Sequence, residues 1–126
     1  MLARNENENG RILVVDDNVA LAENVAELFE FDGLRSVVAT SAEEALSLTL
    51  TLDLTAVITD VRLPGIDGTE LVRRLRPGRD HVRFAVISAY TDQGTVNRAR
   101  EVGAWFFPKP LDLRRLTRFV RGLEIA

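Results

Sequence analysis

Asp16 and Asp17 follow the apolar run Ile-Leu-Val-Val, and Asp60 follows Ala-Val-Ile-Thr. Carboxylates crowded at the ends of two buried strands repel one another. At about 4 Å and an effective dielectric of about 20, each pair costs roughly 4 kcal/mol. Such a cluster persists when a hard cation binds it, or when one carboxylate is held for covalent chemistry. The three acids therefore mark the candidate site.

The elements that must position them can be read from the alternation of apolar runs and helical stripes. Ile12–Val15, Ser36–Ala39, Ala56–Thr59, Phe84–Ser88 and Trp105–Phe107 read as strands. The first, third and fourth are nearly continuously apolar, as in parallel strands covered on both faces. Leu21, Val25, Leu28 and Phe29 form the stripe of a first helix, with Asn18 as its N-cap and Gly33 beyond its end. Ser41-Ala-Glu-Glu44 reads as a capping box opening the second, and Asp67 with Glu70 opens the third, whose stripe is Leu71, Val72 and Leu75. The fourth, from about Asp92 to Val102, is thin, with only Val96, Ala99 and Val102 as its apolar side. The fifth carries Leu113, Leu116, Val120 and Leu123 against Arg114, Arg115, Arg118 and Arg121. MLARNENENG, residues 1–10, reads as a loose tail before a single domain over 11–124.

Five alternating strand–helix units imply a doubly wound parallel sheet with right-handed crossovers and helices on both faces. Sites in such sheets lie beyond the carboxyl ends of the strands, at the switch point of strand order. Asp16, Asp17, Asp60, Ser88 and Lys109 all fall at or just after strand ends, so they should converge on one rim.

Composition narrows the chemistry. The chain has 126 residues, 46% hydrophobic and 28% charged, which suits one globular domain. With no cysteine and one histidine there is no disulfide, no thiol chemistry and no zinc set. A net charge of −3 argues against non-specific nucleic-acid binding, although four arginines crowd the last helix. No apolar run reaches the length of a membrane span and no signal peptide opens the chain, so a bacterial or archaeal cytoplasm is the expected address.

ILVVDDN, ITDVRLPGIDG, VISAY and FPKPL, in this order and spacing, resemble the receiver (CheY-like) domain of bacterial two-component response regulators, from about Arg11 to Leu123. The resemblance implies a flavodoxin-like fold of five parallel strands in the order 2-1-3-4-5 with five helices. It implies that Asp60 is the phosphoacceptor, taking a phosphoryl group from a phosphohistidine of a sensor histidine kinase or phosphotransfer protein. A carboxylate suits that role because it is ionised at neutral pH and needs no base. The same resemblance assigns Mg2+ to Asp17, Asp60 and the backbone carbonyl of Arg62, with Asp16 acting through water. Oxygen ligands with retained waters are what magnesium prefers. It assigns Lys109 to the phosphoryl group, with a cis peptide to Pro110, and Ser88 to a hydroxyl that moves onto a phosphoryl oxygen. The aromatic that follows Ser88 is Phe106, three residues before the lysine; the stretch Gly103–Lys109 runs one residue shorter than the family pattern, which leaves Trp105 as a rival. Strand alternation sets Trp105 and Phe107 on one face, as core aromatics, and Phe106 on the other.

Arg62, two residues after Asp60, and Tyr90, two after Ser88, are expected at the rim of the site, where they would hinder the water that hydrolyses an acyl phosphate. His81, in the polar loop RPGRDHVR, reads as a loop residue. Output is expected through the fourth helix, fifth strand and fifth helix, toward a downstream protein or a second copy, with no direct contact to nucleic acid or membrane. Truncation of a longer regulator or hybrid kinase stays open. The expected role is a signalling phosphoacceptor rather than an enzyme, at most catalysing its own phosphorylation and dephosphorylation. Two rivals are a receiver-like docking module that is never phosphorylated and, more remotely, an aspartate-nucleophile phosphatase. The second would want an acid two residues after Asp60, where Arg62 stands. A flavin or dinucleotide binder would want a glycine- or hydroxyl-rich loop after the first strand, where Asp16-Asp17-Asn18 stands instead.

Overall fold

The structure, a computed structural model, describes residues 10–123; of the expected tail, residues 1–9 lie outside the described residues. Ten elements alternate: β1 (Arg11–Val15), α1 (Val19–Phe31), β2 (Ser36–Ala39), α2 (Ala42–Leu48), β3 (Leu54–Asp60), α3 (Gly68–Leu75), β4 (Arg83–Ser88), α4 (Gln93–Glu101), β5 (Trp105–Pro108) and α5 (Leu113–Val120). The strands form one parallel sheet in the order β2-β1-β3-β4-β5, the expected flavodoxin-like arrangement.

Two apolar cores sandwich the sheet, because successive strand residues point to opposite faces. Leu13, Val15, Val57 and Val86 pack with α2, α3 and α4 through Ala45, Leu71 and Ala99. Ile12, Val14, Ile58 and Ile87 pack with α1 and α5 through Phe29 and Phe119. This double burial explains the continuous apolar runs; every residue of β3 is buried. The winding direction reverses between β1 and β3, and crossovers of one hand then put α1 and α2–α4 on opposite faces. That reversal opens the crevice beside which Asp16, Asp17 and Asp60 lie.

Local signals explain the boundaries. Asn18, Ser41, Asp67, Asp92 and Asp112 each accept a hydrogen bond from a first-turn backbone N–H of the helix they open. The capping box at Ser41 closes on its neighbour: Glu44 Oε1 accepts from the Thr40 N–H at 2.7 Å. Three stripe positions differ from expectation, one of them Leu113, exposed at the start of α5. Leu28 is nearly half exposed, at the lip of a groove beside α1. Leu123 stands exposed past the end of α5, because Gly122 adopts φ +77° and the Leu123 N–H turns back onto the Arg118 carbonyl at 2.8 Å. In α4 the buried positions are Thr95 and Ala99; Val96 and Val102 are only partly covered.

Candidate functional site

Asp16 directly follows β1 and is buried, 1% exposed. Its Oδ1 accepts the Asn18 N–H at 2.9 Å; its buried Oδ2 has no hydrogen-bond partner and lies 3.6 Å from Lys109 Nζ. Asp17 is exposed at the head of the turn into α1. Asp60, 8% exposed, is the last residue of β3. Its Oδ1 accepts the Arg62 N–H at 3.1 Å, and its Oδ2 accepts from Lys109 Nζ at 3.1 Å. One carboxylate oxygen from each of Asp16, Asp17 and Asp60 lies within 4.8 Å of the other two. Residues from three distant stretches thus meet at the switch point.

Lys109 follows β5, and its peptide bond to Pro110 is cis. The Lys109 N–H donates to the Ser88 carbonyl at 2.9 Å, which fixes the start of this loop against the end of β4. Ser88 is buried, and its Oγ accepts the Tyr90 N–H at 2.9 Å. The Arg62 guanidinium, which leaves the turn after β3, stacks 3.9 Å from the centre of the Tyr90 ring.

Burial is the largest influence on the Asp16 carboxyl and raises it above 3.8. The Asn18 N–H and Lys109 oppose this, while the Asp60 and Asp17 charges add to it. An acid raised in this way penalises the folded state as pH climbs through its shifted value. Burial also acts to lower the Lys109 ammonium, but the hydrogen bond and charge of Asp60, with the Asp16 charge, outweigh it and hold the group above 10.5. Its stabilisation is therefore complete below 10.5 and lost as pH rises through the folded value. Wild-type chemical stability should fall more steeply than that of Lys109→Met as pH rises above 10.5. Denaturant midpoints measured across that range check this, and parallel curves would refute it.

Phe106 is half-buried against the core under α2–α4, at the register position paired with Val86. Trp105 and Phe107 face α1 and α5, where they pack with Phe119 at ring distances of 5.3 and 5.4 Å. Alternation along β5 thus sorts the three aromatics as expected. His81 is exposed just before β4, at the opposite end of that strand from Ser88.

Gly68 is a site position that residue types alone did not single out. A Cβ there would stand 2.2 Å from the Asp60 carbonyl oxygen, while the Gly68 N–H donates to Val61 at 2.8 Å. The backbone of α3 therefore passes directly against Asp60, which only glycine permits. Its signal was the Asp-Gly ending the second motif. Thr59, whose Oγ1 donates to the Asp60 carbonyl at 2.9 Å, gave no signal at all.

Comparison with known proteins agrees with this geometry. Residues 12–121 match the family model of the response regulator receiver domain. The chain is 28% identical over 106 residues to sporulation initiation phosphotransferase F of Bacillus subtilis, covering 83% of this chain and 86% of that protein. It is 36% identical over 110 residues to the transcriptional regulatory protein FixJ of Azorhizobium caulinodans, covering 86% of this chain but only 52% of that one. The chain therefore spans most of the first relative and about half of the second. Among solved structures, a response regulator protein from Burkholderia pseudomallei, with a phosphorylated aspartic acid, calcium ion and citrate, superposes with a TM-score of 0.82 at 25% identity, covering 88% of this chain and 66% of that one. With the family model spanning nearly all of it and the acid rim at the crevice of a 2-1-3-4-5 sheet, the chain belongs to the response regulator receiver domains.

Proposed function

We propose that Asp60 takes a phosphoryl group from a phosphohistidine of a sensor histidine kinase or phosphotransfer protein. Receiver domains are signalling phosphoacceptors rather than enzymes in the ordinary sense, and they bind Mg2+ at an acidic cluster. The observation that carries the reading is the meeting of Asp16, Asp17 and Asp60 around Lys109, whose Nζ lies 3.1 Å from Asp60 Oδ2. The solved relative with a phosphorylated aspartic acid supports it.

Three carboxylates this close, one with a buried oxygen that lacks a hydrogen bond, fit a hard divalent cation. Asp17, Asp60 and the Arg62 carbonyl would hold Mg2+ directly, and Asp16 through water. Bound there, the ion supplies charge neutralisation for the phosphoryl oxygens. Asp60 supplies the nucleophile: a carboxylate oxygen forms the new P–O bond while the P–N bond breaks, its electron pair leaving on the donor imidazole. Lys109, already paired with Asp60, turns its charge to the phosphoryl group. Ser88 rotates to donate to a phosphoryl oxygen, and Phe106 follows into the space it vacates. Return to the start is self-catalysed attack of water on phosphorus, restoring the carboxylate and releasing phosphate.

Output leaves through the face formed by α4, β5 and α5, toward a downstream protein or a second copy. The sparse packing of α4, where only Thr95 and Ala99 are buried, suits an element that moves under a small bias. The receiver unit spans 11–124 after a tail at 1–10, and a cytoplasmic location fits; no helix among the described residues is long and apolar enough to cross a membrane.

The test is incubation with acetyl phosphate and Mg2+, followed by intact mass. A gain of one phosphate that EDTA prevents is expected. No gain would overturn the reading and favour a docking module that is never phosphorylated.

A further inference from the structure

α1 and α5 cover the same face of the sheet, and their C-terminal ends meet where Arg121 Nη2 donates to the Asp32 carbonyl at 2.8 Å. Their outer sides carry opposite charge. Glu23, Glu27 and Glu30 are exposed on α1, which has no basic residue. Arg114, Arg115 and Arg118, with Arg121 at the cap, are exposed on α5, which has no acidic one. Neither set serves its own helix. Glu30 stands in the last turn of α1 and Arg114 in the first turn of α5, each the wrong sign for the helix dipole there. Among the described residues no ion pair joins Glu23, Glu27 or Glu30 to Arg114 or Arg121. Between the two ridges runs an apolar groove edged by Leu28, Phe31, Leu111 and Leu113, and Phe31 is 90% exposed. An apolar strip rimmed by charge is the pattern of a surface that another molecule covers.

We infer that this α1–α5 face binds a second copy of the chain, about a twofold axis parallel to the groove. Charge selects both the partner and the axis. Glu23 and Glu30 are seven residues apart, as are Arg114 and Arg121, so each pair spans about 10.5 Å along its helix. The contact at Asp32 sets Glu30 level with Arg121, and hence Glu23 level with Arg114. Rotation about an axis along the groove lays Glu23 and Glu30 of one copy on Arg114 and Arg121 of the other, twice over. An axis across the groove would set acid on acid. The same rotation brings Leu28 and Phe31 of both copies together over the groove, where the rings leave water. Helices of 13 and 8 residues give a face only about 20 Å long, short of a standard interface, so the pairing is weak and concentration-dependent. This face shares only α5 with the surface of α4, β5 and α5, and the pairing does not depend on Asp60 taking up a phosphoryl group.

The test is sedimentation equilibrium of the unphosphorylated chain from micromolar to millimolar concentration, where the mass should climb from monomer toward dimer. Raising salt from about 0.05 to 0.5 M should weaken association several-fold, because the charged ridges are exposed. Phe31→Ser should weaken it by roughly tenfold or more. Its melting temperature, read where the wild type is monomeric, should not change, since so exposed a ring makes little contact within its own chain. Glu23→Arg and Arg114→Glu should each weaken association by about tenfold, because each sets like charges together twice. Mixed in equal amounts, these two variants should pair as tightly as the wild type, since every facing pair is then again acid on base. A chain that stays monomeric at millimolar concentration would overturn the inference. A dimer indifferent to Phe31→Ser and to both charge reversals would overturn it as well, because the copies would then meet elsewhere.

Discussion

Asp60→Asn is expected to take up no phosphate from acetyl phosphate, with uptake falling at least a hundredfold. An amide oxygen carries no full negative charge and cannot form a stable acyl phosphate, whereas a carboxylate oxygen can attack phosphorus directly. The neighbouring acids do not replace it: Asp16 is 1% exposed and Asp17 sits in the open on the turn into α1. A second readout separates loss of the nucleophile from loss of the fold. Mg2+ binding to the folded state raises the melting temperature by mass action. Wild type should therefore be stabilised by millimolar Mg2+, and Asp60→Asn, lacking one of three clustered carboxylates, should be stabilised less. Without Mg2+ the variant should stay folded, because the substitution removes repulsion from Asp16 and Asp17 together with attraction to Lys109. Full phosphate uptake by the variant, measured by intact mass, would show that the phosphoryl group goes elsewhere.

Phe107→Ala should have the largest effect on stability, about 3–5 kcal/mol. Phe107 is 2% exposed, and its ring meets Phe119 edge-on at 5.4 Å and Trp105 at 6.4 Å. Truncation leaves a cavity between β5 and α5 that rigid neighbours on both sides cannot close. For a domain of this size the melting temperature should drop by about 10 °C or more. Phe106→Ala, next along the strand but only half-buried, should cost clearly less stability while altering the response to phosphorylation. Thermal unfolding of the two variants side by side checks the assignment, and equal losses would refute the division of β5 into a fully buried face and a half-buried one.

The acid triplet, the lysine and the buried hydroxyl were legible because each stands at the end of an apolar run, and a parallel sheet gathers strand ends onto one rim. The order of the elements was legible for the same reason: continuous apolar runs demand cover on both faces, and helices between them supply it. Caps were local chemistry and could be read from four-residue patterns around Asn18, Ser41 and Asp67.

What escaped sequence reading depended on distances between segments far apart in the chain. Gly68 is constrained by the Asp60 carbonyl, a contact that only the return of α3 against β3 creates. Leu28 has a helical spacing that points inward, yet it lies on the lip of a groove whose other side is formed by Pro110, Leu111 and Leu113. Arg62 and Tyr90 were placed at the rim by their offsets from Asp60 and Ser88, but their stacking follows from the adjacency of β3 and β4. Periodicity and strand ends determined which side chains could meet. The packing of neighbouring strands alone decided which of them touch, because contact is set to within an ångström by register and burial that no linear pattern encodes.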